Sequence, residues 1–239
     1  QTVATIISGN ENQYIGGRFF YNPADQFTFE NVPAFFEDSD EMRTACIEAF
    51  ESGKSSKTGK FADLEIFFEN VDPPLNLVIF GAGFDAIPLA NFAKELGWRI
   101  SVVDHREAFA STERFPNADE ITISQPDELS EKLKFDSDSV AVVMTHNYQK
   151  DREILKFLLD KELKYIGALG PKRRTGRLFE ELNVERNEHQ NVYAPIGLDI
   201  GADTPEAIAL SIIAEIKSVL RGRSGGFLRD RDGSIYGRN

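Results

Sequence analysis

Cysteine is nearly absent from this chain of 239 residues: Cys46 stands alone. One thiol cannot build an internal disulfide framework or a cysteine-based zinc site, and a reducing, cytoplasmic setting is expected. Histidine is almost as scarce, with only His105, His146 and His189, so no resident metal is expected either. No apolar run approaches the ~18 residues needed to span a bilayer, because charges or turn residues interrupt every stretch. Positive charge is in deficit, with 27 Lys and Arg against 39 Asp and Glu and a net charge of −12. Nucleic-acid binding works by neutralising phosphates with cations, so neither nucleic acid nor membrane is an expected partner. The opening Gln1-Thr2-Val3-Ala4 has no initiator Met and no charged-then-apolar leader. The chain is therefore read as a fragment of a longer polypeptide.

What is present is an ordinary globular balance, 41% hydrophobic and 28% charged. The acidity is uneven. Residues 1–74 carry 5 basic and 13 acidic side chains, a net −8, and the remainder carries 22 and 26, a net −4. Val71-Asp72-Pro73-Pro74 marks a boundary, since paired prolines neither continue a helix nor sit in a central strand. Residues 1–72 then read as a small α+β domain. Its strands are expected at Val3–Ile7, Arg18–Tyr21, Phe27–Glu30 and Leu64–Phe68. A helix over Asp38–Ser52 shows apolar residues at helical spacing, with Ser39 or Asp38 as its cap and Gly53 as its stop. Cys46 lies on that apolar stripe and reads as a small core residue. Residues 221–239 form a Gly-rich tail with five Arg and two Asp, expected to be flexible.

Between these, residues 75–220 alternate strand and helix. Strands are expected at Asn76–Phe80, Arg99–Asp104, Glu120–Ser124, Val140–Thr145, Lys164–Leu169 and Asn191–Pro195. Helices are expected at Asp85–Leu96, Lys150–Lys161, Lys172–Leu182 and Thr204–Leu220, with a short one near Asp127–Leu133. Short, continuous apolar strands indicate a parallel sheet covered on both faces. The fold class is thus α/β, a doubly wound, mainly parallel Rossmann-type sheet in the order 3-2-1-4-5-6.

In such a sheet ligands bind at the carboxyl ends of the strands, near the switch point between strands 1 and 4. Gly81-Ala82-Gly83-Phe84-Asp85-Ala86 has G-x-G-x-x-A spacing after strand 1, and Gly81 and Gly83 permit close approach of a phosphate to a helix N-terminus. Pro88 places the helix start near Asp85. The Asp85 carboxylate then either caps the helix or competes with a diphosphate for the same N–H groups. Asp104 falls 21 residues after Gly83, where a carboxylate can bind ribose hydroxyls, and Arg106 either pairs with it or faces a 2′-phosphate. His146 ends strand 4 and either moves protons, as the candidate catalytic residue, or bonds a loop carbonyl. His105 and His189 read as solvated. Gly170, Pro171, Lys172, Arg173 and Arg174 place cations at a helix start, a receptor for phosphate or a solvated first turn. Gly197 and Gly201 flank Asp199 in a loop of unusual backbone geometry, close to a ligand or simply a turn. No catalytic pair is legible, which weighs against an enzyme.

Five segments together resemble the xanthine dehydrogenase accessory protein family (XdhC/CoxI type) over about residues 60–239. They are Val78-Ile79-Phe80-Gly81-Ala82-Gly83, Val103-Asp104-His105-Arg106, Val143-Met144-Thr145-His146-Asn147, Gly170-Pro171-Lys172-Arg173, and Pro195–Gly201 followed by Thr204-Pro205-Glu206. The resemblance implies maturation of molybdenum hydroxylases. It implies molybdenum cofactor as ligand, and apoenzyme and a cofactor-sulfurating enzyme as partners, and it leaves room for a homodimer. The family's amino-terminal Gly-Gly-Cys segment has no match: Gly16-Gly17-Arg18 lacks the cysteine and Cys46 sits on a helix. Omission of that domain from the fragment is the favoured expectation. A nicotinamide-dependent oxidoreductase, binding NAD(P) through Asp104 with His146 as acid or base, and a nucleotide-binding sensor stand as alternatives.

Overall fold

The computed structural model describes residues 1–24, 26–52, 56–136, 138–184 and 189–232. Gly53, expected to end the first long helix, and the last seven residues of the tail lie outside them. The chain divides into two compact units, one over Gln1–Pro73 and the other beginning at Pro74.

The first unit is a five-stranded antiparallel sheet, β1 (Thr2–Ser8), β2 (Arg18–Asn22), β3 (Gln26–Glu30), β4 (Ser56–Phe61) and β5 (Leu64–Asn70), in the order β3-β2-β1-β5-β4. A single turn α1 (Ala34–Glu37) and helix α2 (Asp40–Glu51) complete it. Burial alternates along β1 and β5, as a sheet with one covered face requires. Ala4, Ile6, Leu64, Ile66 and Phe68 pack with Met42, Ala45, Cys46 and Ala49 of α2. Ser39 caps α2 by accepting from the Met42 N–H. Burial pushes the Cys46 thiol up to about 12, against the opposing pull of Lys57, so the thiol stays protonated and inert. Strand β4 is absent from the sequence-based expectation. Its Ser-Lys-Thr-Gly-Lys-Phe composition reads as a loop, yet lysines are how an edge strand resists further pairing, and β4 is an edge.

The second unit carries a six-stranded sheet: β6 (Asn76–Phe80), β7 (Arg99–Asp104), β8 (Glu120–Ile123), β9 (Ser139–Val143), β10 (Ile166–Ala168) and β11 (Val192–Tyr193). Every pairing is parallel, and the order β11-β10-β9-β6-β7-β8 is the doubly wound one. Central strands β6 and β9 are buried at every position, which explains why they read as unbroken apolar runs. Helices α3 (Ala86–Glu95) and α7 (Pro205–Leu220) cover one face, where Leu89, Ala93, Ile212 and Ile216 meet Leu77, Ile79 and Val142. Helices α4 (Leu129–Lys132), α5 (Tyr148–Leu159) and α6 (Lys172–Leu182) cover the other, where Leu129, Leu155 and Phe179 meet Val78, Phe80 and Val143. Among the described residues no helix is long and apolar enough to cross a membrane.

Candidate functional site

Because all six strands run parallel, their carboxyl ends, and the loops that follow them, share one edge of the sheet. The turn after β6 is built by close packing. Gly81 has φ +110, and a Cβ there would lie 2.6 Å from the Met144 carbonyl oxygen. Only glycine meets both demands. Its N–H donates to Val103 O at 2.8 Å, and the next N–H, of Ala82, donates to Asp104 Oδ2 at 2.8 Å. Neither is free for a phosphate, so the donors left to a ligand begin at Gly83.

Asp104, expected to bind ribose hydroxyls, is engaged within the chain. Its side chain is 1% exposed, and both oxygens are engaged. Oδ1 accepts from the Arg106 backbone N–H and Nε, each at 2.9 Å, and Oδ2 accepts from the guanidinium at 2.7 Å. Burial works against its charge, but the Arg106 and Ala82 bonds outweigh burial and hold the carboxyl down to about 2. Arg106 thereby takes the pairing role rather than the outward one. His105 is not simply solvated either: Nδ1 lies 3.0 Å from Asp104 Oδ1, and burial followed by Lys150 pulls its pKa below the usual value.

Asp85 corrects a second expectation. It precedes α3, but its side chain caps nothing. Instead Asp85 Oδ2 meets His146 Nε2 at 2.7 Å, so His146 bonds a carboxylate rather than a loop carbonyl. His146 holds this place with φ +59, a left-handed geometry that costs a non-glycine residue about 1 kcal/mol. The imidazole is 58% exposed and the carboxylate 13%. A Cβ on Gly83 would lie 2.7 Å from Asp85 Oδ1 and 3.8 Å from His146 Cδ2, so Gly83 makes room for this pair. Chemically the pair orients an imidazole toward solvent with one nitrogen fixed, suited to bind an anion or move a proton. Asn147 follows as the N-cap of α5, accepting from Gln149 and Lys150.

Beyond His146 the polar chain continues inward. Asp151, 2% exposed, accepts from the Thr145 hydroxyl at 2.5 Å and N–H at 3.2 Å, and its other oxygen accepts from Arg174. Burial raises the Asp151 pKa, with Thr145 and Arg174 opposing. One of the three cations at the α6 start is thus consumed internally. Lys172 and Arg173 are exposed, and no ion pair engages them among the described residues. With Arg177, Tyr148 and Pro171 they line an open cavity of about 710 Å³. A smaller cavity, about 320 Å³, lies by β11 around Phe179, His189 and Pro195 and carries none of these cations. Gly170, with φ +147, packs against the Arg174 side chain.

The last loop is held by α7. Gly197 (φ +103) donates its N–H to Glu215 Oε2 at 3.0 Å, Tyr165 donates to the same carboxylate, and Ser211 Oγ donates to Leu198 O at 2.6 Å. The unusual backbone there has an internal cause. Asp199 and Gly201 are exposed, and among the described residues no hydrogen bond or ion pair joins them to His146 or Lys172. Among the described residues no group of three or more His, Cys, Asp or Glu is placed to hold a metal ion.

With this geometry in hand, comparison with known proteins is decisive for the family. The family model for the XdhC Rossmann domain matches residues 77–216, more than half of the chain. The chain belongs to this family. A protein of Bacillus subtilis (strain 168), described as a probable xanthine dehydrogenase subunit, is 40% identical over 151 residues, 63% of this chain and 44% of that protein. The molybdenum cofactor insertion chaperone PaoD of Escherichia coli (strain K12) is 27% identical over 150 residues, 62% of this chain and 41% of that protein. The matched segment therefore spans less than half the length of these curated relatives. A solved structure described as a xanthine dehydrogenase from Bacillus halodurans superposes with a TM-score of 0.60 at 25% identity, covering 92% of this chain and 90% of that one. Within this XdhC-type domain, the sequence reading missed the Asp85–His146 pair and Asp151. Both join residues that only the fold brings together.

Proposed function

We propose that this chain is an accessory protein for molybdenum hydroxylases of the xanthine dehydrogenase type. In this reading it binds molybdenum cofactor, or a related nucleotide, at the carboxyl edge of its Rossmann sheet and works in the cytoplasm. The observation that carries this reading is the cavity of about 710 Å³ at the start of α6. It presents Lys172 and Arg173, which no ion pair engages among the described residues, beside Glu180 and beside Arg174 and Arg177, which are paired with Asp151 and Glu181, in a chain of net charge −12. Its donor chemistry fits a phosphate-bearing ligand, and the names of the relatives say which class of ligand to test. Bound cofactor supplies the molybdenum redox centre for a client enzyme. Lys172 and Arg173 bind its phosphate, and the Asp85–His146 pair orients what lies beside the glycine turn. Asp199 and Gly201, in the exposed loop before α7, are included in the proposed binding edge. The nicotinamide alternative is weakened because Asp104 has no oxygen left for a ribose.

The test is reconstitution of a cofactor-free xanthine dehydrogenase with released cofactor. Adding the chain is expected to raise the recovered activity, and Lys172→Glu with Arg173→Glu to remove that gain. Unchanged recovery with the native chain, or robust NAD-linked turnover by the chain itself, overturns the proposal.

A further inference from the structure

Behind the glycine turn stands a column of alternating guanidinium groups and rings. Arg106, fixed on Asp104 by two side-chain bonds, lies 3.9 Å from the Phe109 ring centroid. Arg114 covers Phe109 at 5.0 Å and Phe84 at 4.8 Å. Arg114 is anchored by donating to Ala82 O at 3.2 Å, and its Nε is buried with no hydrogen-bond partner among the described residues. The column ends at Phe84, which is 74% exposed. Phe84 lies between Gly83 and the Asp85 that holds His146.

We infer that the outer face of Phe84 is a stacking platform for a flat heteroaromatic ring, a pterin or a nucleobase, carried by the phosphate-bearing ligand; the inference rests on the proposed function. Three features argue for it. First, the ring is ordered from behind, since each layer fixes the next back to buried Asp104, so binding loses little side-chain freedom. Second, the inner face already meets a guanidinium. A second cation on the outer face would be repelled by Arg114, whereas a neutral ring with an anionic substituent would be attracted. Third, the platform lies at the carboxyl end of β6, where ligands of this sheet class sit. A protein partner would be served equally well by an apolar residue anywhere on the surface. A ring ordered by its own column beside an exposed imidazole suits a small ligand better.

The test uses the whole chain and three probes in calorimetry: AMP, ribose 5-phosphate and adenosine. Removing a stacking partner weakens base binding by roughly tenfold or more. Phe84→Ala should therefore weaken AMP by about that factor and leave ribose 5-phosphate unchanged. Phe84→Trp should restore AMP binding, with indole fluorescence quenched as AMP is added. The exposed position keeps folding intact in both variants. Equal AMP affinity in Phe84→Ala and the native chain overturns the platform, and if ribose 5-phosphate still binds, the phosphate reading survives it. Adenosine binding that depends on Phe84, with no gain from phosphate, upholds the platform and sinks the phosphate reading. No binding of any probe overturns both. Loss of client-enzyme activation in Phe84→Ala with AMP affinity unchanged also overturns the platform and assigns the ring to a protein contact.

Discussion

The edge of the sheet at β6 and β7 and the edge at β10 start alike in sequence, each as a glycine followed by a helix, and end in opposite states. At the first, the N–H groups of Gly81 and Ala82, both oxygens of Asp104 and the Arg106 guanidinium all find partners within the chain. At the second, Arg174 is consumed by Asp151, while Lys172 and Arg173 stay exposed around a cavity. A polar group already paired internally builds the site, and one left unpaired is available to a ligand. Charge alone does not separate the two.

Removing internal partners should therefore cost stability, and removing outward ones should not. The largest effect is expected at Arg174. Arg174→Met strands the Asp151 carboxylate, 3% exposed, and should destabilise by about 3 kcal/mol or more in urea unfolding. Arg173→Ala should stay within about 0.5 kcal/mol. Equal effects at the two positions would erase the contrast.

Asp104 comes next and adds a pH signature. Its folded pKa of about 2 lies below the ordinary 3.8. The stabilisation is fully present above pH 4 and is lost as pH falls from about 4 toward 2, to the extent of about 2 kcal/mol. Asp104→Asn should remove that acid-limb dependence from unfolding curves taken across this range. An unaltered acid limb would mean that the carboxylate is not the latch of the glycine turn. Smaller still is Gly83→Ala. Its Cβ would displace Asp85 from His146, shifting the His146 ring resonances in nuclear magnetic resonance spectra at a stability cost of about 1 kcal/mol or less. Unshifted resonances would show that the pair tolerates a side chain at 83.

The parallel sheet was legible because its central strands are short, unbroken apolar runs and its helices carry clear start signals, such as Thr204-Pro205 before α7. Strand β4 was not, since an edge strand of lysine, threonine and glycine has the composition of a loop. The glycine turn and the strand ends, where the site is proposed, were legible, but which of their groups remain free was not. Spacing put Asp104 at the right strand end without revealing that Ala82 and Arg106 would occupy it. Asp85 and His146 are 61 residues apart, and Asp151 in sequence looks like any acid in a helix's first turn. Such pairings exist only once the sheet has set the strands side by side.

The open, cationic edge at α6 is proposed to hold a phosphate-bearing cofactor. The most direct measurement is co-elution of molybdenum and pterin with the purified chain after incubation with released cofactor and gel filtration. Retention by the native chain is expected, and loss with Lys172→Glu and Arg173→Glu, at an unchanged unfolding midpoint. Retention that survives both charge reversals, or no retention by the native chain, would contradict it.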